Sequence, residues 1–334
     1  MRSSLAAYVK LLRLPGLGGL AIPPVFGAIS VGVYGLSQLS LLFFIGSMAA
    51  IFGFVLNDYA DVELDGLIQE LRNKPLVSGL VSRKAAITVC FVTMVLTFML
   101  SFVLWRGEVL TDRKLAALSM IVLAWLLGTI YNLYGKRIIA SDLFVALAMS
   151  FLVLFGALAF DAPGVLTWTI FVLTFNQTLH MNAVEGGIKD ADHDHLMGVT
   201  NLALASGVSV TGNRLYIPRM FRVFGMGIRM CSVLVVFVPF YYGIDHHTWQ
   251  LVVLAGMLAG VLYIEVQLLS LTSFDRTRIR KLIAAASFLR YAVVPVMLMA
   301  VIGVAGGLAL AVLPVAWYLV FIPLTGVRPF QPEM

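Results

Sequence analysis

The stretch Leu56-Asn57-Asp58-Tyr59-Ala60-Asp61-Val62-Glu63-Leu64-Asp65 sets four carboxylates and an amide at the end of an apolar run. A second acidic stretch, Lys189-Asp190-Ala191-Asp192-His193-Asp194, follows another apolar run much later in the chain. Asp58, Asp61, Glu63, Asp65, Glu70, Glu185, Asp190, Asp192 and Asp194 make nine of the 17 acidic residues, all near these two places. Carboxylates crowded in this way repel one another unless cations neutralise them, so both stretches read as cation sites. On a continuous helix Asn57, Asp61 and Asp65 fall within an arc of roughly 80°, with Asp58 at its edge and Glu63 opposite. Asp190 and Asp194 share a face in the same way, and Asp192 points away from it. A hard-oxygen donor set with no Cys and no obligatory His favours Mg²⁺ over zinc.

A carboxylate-bound Mg²⁺ that keeps open positions is a receptor for phosphate. Lys74, Lys136, Arg137 and Lys189 are placed to complete the neutralisation of a diphosphate. Such a site favours ionisation of the carbon–oxygen bond of an allylic diphosphate, because it stabilises charge developing on the leaving group. The alternative for either stretch is a solvated acidic loop.

The elements that must position these residues are membrane helices. The chain is 60% hydrophobic and 12% charged, against about 25% charged in soluble domains, and its mean hydropathy is +0.97. Apolar segments near 20 residues recur along it. The sequence predicts an all-α, polytopic membrane bundle with spans near 17–36, 39–56, 85–105, 115–131, 143–160, 164–182, 224–243, 248–271 and 283–304. A possible tenth, at 306–322, follows a Gly-rich join at Gly303 to Gly307. Arg2, Lys10 and Arg13 precede the first run with no small-residue cleavage site after it, so no cleavable signal is expected. Cys90 and Cys231 fall inside spans and read as buried packing residues.

Twenty of the 23 Lys and Arg residues fall on one side of this arrangement, Arg328 included when ten spans are drawn. Only Arg106, Arg113 and Lys114 fall on the other. The positive-inside rule therefore puts the N-terminus and both acidic stretches at the cytoplasmic face. The net charge of +6 is accounted for by these loops and asks for no nucleic-acid partner. Four spans separate the two acidic stretches. That predicts one domain over 1–334 made of two similar four-helix halves, about 10–140 and 141–275, with C-terminal helices added.

These residues resemble the UbiA superfamily of intramembrane prenyltransferases. Asn57, Asp58, Asp61 and Asp65 match its Asn-Asp-x-x-Asp-x-x-x-Asp motif, and Lys74-Pro75-Leu76-Val77-Ser78-Gly79 is similar to the continuation of that motif. Asp190, Asp194 and Gly198 match the second motif, Asp-x-x-x-Asp-x-x-x-Gly, with Thr200 following. Arg13-Leu14-Pro15 resembles the family's entry to the first helix. One departure is the spacing of Tyr131 and Lys136, one residue longer than the family's Tyr-x-x-x-Lys element.

The resemblance implies a bundle of about nine helices around a central cavity, with two Mg²⁺ bridging a diphosphate between the motifs. It makes Asn57, Asp61, Asp65, Asp190 and Asp194 metal ligands, with Asp61, Asp190 and Asp194 catalytic. Asn57, Asp58, Lys74, Lys136, Lys189 and Arg13 would bind the diphosphate. The implied reaction is Mg²⁺-dependent transfer of a prenyl group from its diphosphate to a lipophilic or membrane-surface acceptor. Terpene cyclisation on the same fold is the alternative. A transporter is disfavoured, because its charges belong near the bilayer midplane.

Asn176, Gln177, His180 and Asn182 cluster at the end of the sixth span, where they either line the cavity or hold helices together. Glu265 lies deep in the eighth span. It serves either to orient the acceptor or take its proton, or as a helix-paired core carboxyl. His246 and His247 read as solvated loop residues.

Overall fold

The computed structural model describes residues 2–325, so Arg328 lies outside the described residues. Helix α1 (Arg2–Leu11) ends just before Arg13. The chain re-forms as a single turn over Leu17–Leu20 and as α2 (Pro23–Ile29). Pro23 and Pro24 open α2, where a missing N–H costs no helical hydrogen bond. Leu5–Leu11 and Leu14–Ile29 meet at a bend of 43°, and the first expected span, 17–36, begins inside the second of these segments.

Helix α3 (Leu36–Asp65) then runs for 30 residues through the whole first acidic stretch, with no interruption of helical geometry. Helix α4 (Arg83–Leu104) is capped by Ser82 and α5 (Asp112–Tyr134) by Thr111, each side chain accepting a backbone N–H of the first turn. After α6 (Asp142–Leu158), helix α7 (Val165–Leu179) passes directly into a π-helical stretch, His180–Gly186, and a last turn, Gly187–Lys189. The path breaks at Asp190 before the short α8 (Ala191–Leu196). Helices α9 (Arg219–Val236), α10 (Thr248–Leu269), α11 (Arg276–Met297) and α12 (Met299–Phe321) complete the bundle.

Neighbouring helices close a ring. It passes from α3 through α5, α6, α7, α9, α10, α11 and α12, and α12 packs back onto residues 14–20 beside α3. Helix α4 lies outside α3, and α2 packs on α6. The α2–α6 crossing is tight because Gly27 and Gly156 stand where a Cβ would run into the backbone at Val153 and Pro24. Small residues that let backbones touch are the usual device for joining helices within a bilayer. Phe91, Met99, Phe102, Leu126, Val252 and Tyr263 are exposed on the outer faces, as lipid-facing residues would be.

Four details add to the expected picture or differ from it. First, among the described residues six helices are long and apolar enough to cross a membrane, or seven counting the bent pair, where nine or ten spans are expected. Helix α6 has 17 residues, α7 has 15 before its π stretch, and α11 carries Arg276, Arg278, Arg280, Lys281 and Arg290. The join expected at Gly303 is present as a break inside α12, with φ of 80°. Second, the bundle is all-helical as expected apart from one short antiparallel hairpin, β1 (Ser209–Thr211) and β2 (Arg214–Tyr216). Its turn uses Gly212 at φ 58°, a conformation glycine adopts without strain.

Third, Cys231 is exposed, although Cys90 is buried as expected. Fourth, Arg229 and Arg290, counted with the cytoplasmic loops, lie inside α9 and α11 and are only 3% and 9% exposed. The loop count therefore overstates the basic residues facing water.

Candidate active site

Helix α3 turns Asp58, Asp61 and Asp65 inward, and all three are buried. Glu63 points outward. Its side chain is 86% exposed and meets only Arg83, at 3.3 Å, whereas the Asp61 side chain is 10% exposed. Each inward carboxylate has a cation. Arg13 donates to Asp58 at 2.9 Å, Lys74 to Asp65 at 2.7 Å and Asp58 at 3.4 Å, and Lys136 pairs with Asp61 at 2.9 Å. Burial works against the Lys74 charge, but Asp58 and Asp65 outweigh it and raise its pKa. Asn57 is half-buried, on the same helix.

Arg13 reaches Asp58 from a left-handed backbone conformation, φ 46°, with its guanidinium 5.0 Å from the Phe54 ring centroid. A non-glycine residue held there is uncommon and carries strain, typical of sites where a side chain must be aimed.

The second acidic stretch lies against the first. His193 is 3.5 Å from Glu70, the Thr200 N–H donates to the Lys136 carbonyl at 2.8 Å, and Tyr131 feels the charges of both Asp61 and Asp194. Asp190 pairs with Lys189 at 3.3 Å. Asp194 accepts from Asn201 Nδ2 at 2.7 Å, while Asn201 Oδ1 caps the next helical turn. Asp192 faces elsewhere and pairs with Arg276 at 2.6 Å.

The longer Tyr131–Lys136 spacing is absorbed by geometry. Helix α5 stops at Tyr134 and the chain turns through Gly135–Arg137, so Lys136 still reaches Asp61. Arg137 is exposed and outside the site.

Asp194 shows how the site suits a cation. Burial lifts its carboxyl to about 7 and the neighbouring Asp190 charge adds to the rise, while Lys136, Asn201 and Lys189 hold it back. A cation between Asp190 and Asp194 would relieve that repulsion. Asn57, Asp61, Asp65, Asp190 and Asp194 form an all-oxygen donor set of the kind that takes Mg²⁺.

A different charged group sits deeper, between α7, α9, α10 and α11. His180, Glu185, Arg229 and Glu265 are buried, with Arg290 at their edge. Arg229 donates to Glu185 at 2.8 Å, and Arg290 grips the same carboxylate through two nitrogens. His180 Nε2 lies 2.9 Å from Glu265. Ligand atoms of His180, Glu185 and Glu265 lie within 4.8 Å of one another, but the two arginines already neutralise the carboxylates. Glu265 is therefore a paired core carboxylate. The sequence singles out His180, Glu185 and Glu265 but not Arg229 and Arg290, which are counted there with the cytoplasmic basic residues although they lie inside expected spans.

Fold and site together define an integral membrane helical bundle with two facing acidic motifs at one end. The sequence profile of the UbiA prenyltransferase family matches residues 21–285. The chain belongs to that family and is a prenyltransferase. It is 28% identical over 213 residues to a 4-hydroxybenzoate octaprenyltransferase of Marinomonas sp. (strain MWYL1), covering 61% of this chain and 71% of that one. The match to the same-named protein of Vibrio atlanticus is 32% over 158 residues and spans about half of each chain, 46% and 51%. A digeranylgeranylglyceryl phosphate synthase of Sulfurisphaera tokodaii is 24% identical, covering 80% of this chain and 86% of that one. Among solved structures, a UbiA homolog from Archaeoglobus fulgidus bound to GPP and Mg²⁺ superposes with a TM-score of 0.60. It is 16% identical, and the match covers 89% of this chain and all of that one, 100%.

Proposed function

We propose that the protein transfers a prenyl group from its diphosphate to a lipophilic acceptor, at a site opening to the cytoplasm. The observation that carries this reading is the approach of the half-buried Asp190/Asp194 pair to the buried face Asp58/Asp61/Asp65, with Arg13, Lys74 and Lys136 set among them. The loading of basic residues at that end supports the cytoplasmic orientation.

Asn57, Asp61, Asp65, Asp190 and Asp194 would hold Mg²⁺, which when bound supplies Lewis-acid stabilisation of the leaving diphosphate. Arg13, Lys74, Lys136 and Lys189 would meet its oxygens. These cations offset the charge that arrives when the C1–O bond breaks and its electron pair passes to the diphosphate. A mostly apolar cavity lies among the helices. Met181 lines it, and the next residue, Asn182, is bonded to Tyr131 at 3.4 Å. Its walls would keep water from the allylic centre until the acceptor's nucleophilic atom bonds to C1 and gives up its proton.

The test is to incubate membranes with labelled prenyl diphosphates and a panel of aromatic and glycerol-lipid acceptors, with and without Mg²⁺. Prenylated acceptor is expected, and Asp61→Ala and Asp190→Ala should each abolish it while leaving folded protein in the membrane. Full activity in both variants overturns the site. Cyclised hydrocarbon from diphosphate alone overturns the transfer.

A further inference from the structure

Helix α9 has one buried face and one bare one. Phe221, Gly225, Arg229 and Val236 are buried against the bundle, while Met220, Val223, Met230 and Leu234 are exposed. At about 100° per residue the exposed four fall within an arc of roughly 80°, opposite the buried four. On the outside of a membrane bundle such a stripe faces lipid tails, which are as apolar as leucine.

Where the stripe ends, the surface turns basic. Arg219 and Arg222 are exposed in the first turn of α9. Just before them Arg214 and Tyr216 stand on the exposed side of β2, with Leu215 between them buried. The hairpin is fastened to the start of α11. Arg214 pairs with Ser273 in a β-bridge, the Leu215 N–H donates to the Thr272 carbonyl and the Phe274 N–H to the Asn213 carbonyl, both at 2.9 Å. Leu215, Phe221 and Ile279 share one core cluster. Arg278 and Lys281, exposed in the first turns of α11, therefore add their charge at the same end of the molecule.

These cations are not spent on the protein. Among the described residues no carboxylate pairs with Arg214, Arg219, Arg222, Arg278 or Lys281, whereas Arg13, Lys74, Arg83, Lys136 and Arg276 all have one. Asp275 is the exposed acid nearest in sequence, and its Oδ1 accepts the Arg278 N–H at 3.1 Å as the cap of α11. Arg222 Nε donates to the Ile217 carbonyl at 2.9 Å, a bond that anchors the side chain without neutralising it.

An uncompensated basic set at the end of a lipid-facing stripe meets the head groups of the bilayer. Guanidinium groups take phosphate oxygens in pairs, and an exposed tyrosine such as Tyr216 suits the head-group level. A soluble acidic partner would not account for the apolar stripe that runs into the patch.

We infer that Arg214, Arg219 and Arg222, with Arg278 and Lys281 adding charge, form a binding site for the phosphate head groups of anionic membrane lipids. The site is tied to the second acidic stretch, because β1 packs on α8.

The test uses the purified full-length protein in detergent, its melting temperature followed during titration with dioctanoyl phosphatidylglycerol, dioctanoyl phosphatidylcholine or inorganic phosphate. Phosphatidylglycerol should stabilise with a midpoint at least about 30-fold below that of phosphatidylcholine. Arg214→Gln/Arg219→Gln should raise the phosphatidylglycerol midpoint about 30-fold, roughly 5-fold for each basic residue removed. Arg106→Gln/Arg113→Gln removes the same charge from the α4–α5 connection at the other end of the bundle, and should shift that midpoint by less than about 2-fold because salt screens distant charges. If the first double variant melts below wild type before lipid is added, Arg278→Gln/Lys281→Gln replaces it with the same expectation. Equal midpoints for the two lipids, or a phosphatidylglycerol midpoint unmoved in the patch variant, overturn the inference. Stabilisation by inorganic phosphate at the phosphatidylglycerol midpoint would assign the patch to a free anion and overturn the lipid.

Discussion

Glu185 and Asp190 are five residues apart on one piece of chain, yet they belong to opposite electrostatic regimes. Glu185 is sealed among Arg229, Arg290 and His180, and its charge is matched on the spot. Asp190 lies beside Asp194, whose carboxyl is lifted to about 7 by burial first and by the Asp190 charge second. The deep cluster fastens four helices and leaves little electrostatic attraction for a ligand. The outer group holds repulsion in reserve, which is what a cation-binding site requires. Charge count alone does not separate the two, but the completeness of the pairing does.

The sharpest way to break this contrast is to unbalance the deep cluster. Glu185→Ala leaves Arg229 and Arg290 short of a partner in the interior, and breaking a buried pair in this way costs about 3–5 kcal/mol. A large loss of melting temperature and of folded yield is expected, and unchanged melting would show that the cluster does not fasten the bundle. At the outer group the same kind of change should act on chemistry. Asp61→Asn should lower transfer about 100- to 1000-fold while melting stays near wild type, measured on one preparation. A stability loss matching that of Glu185→Ala would erase the distinction between the regions.

Asn201→Ala sharpens the comparison further. It removes the one amide that orients Asp194, and a supporting group of this kind is worth about 10-fold in metal affinity or activity. Titration with Mg²⁺ reads that effect directly, and an unchanged midpoint excludes Asn201 from the site. Glu63→Gln marks the lower end. Exposed and paired only with Arg83, it should change transfer by less than about 2-fold.

Much of the outer site was legible because helical arithmetic is reliable on an uninterrupted helix. Asn57, Asp61 and Asp65 follow the spacing of α3, and the outward turn of Glu63 follows from the same rule. The second stretch was harder, because Asp190 sits at a helix break with φ −107°, and no periodicity announces a break. Asn201 was invisible for a related reason: it reaches Asp194 across a loop. Arg229 and Arg290 fall inside the expected spans 224–243 and 283–304, yet the count of basic residues by side assigns them to the loops. It has no way to see a carboxylate waiting on another helix. The span count differs because α11 carries Arg276, Arg278, Arg280 and Lys281 in its first turns and Arg290, buried, further along.

The π-helical stretch His180–Gly186 joins the two regions. Each π turn takes up more residues than an α turn, so the stretch sets how far Asp190 is rotated relative to His180. This has a consequence for grafting segments between relatives. A chimera joined inside 180–186, or a one-residue deletion there that restores ordinary α geometry, would turn the acidic face away from Asp61 while leaving every motif residue in place. Such a protein would match the family signature in full and have its second motif facing the wrong way. Junctions for exchanging the second half of the molecule therefore belong before Leu179 or after Gly198.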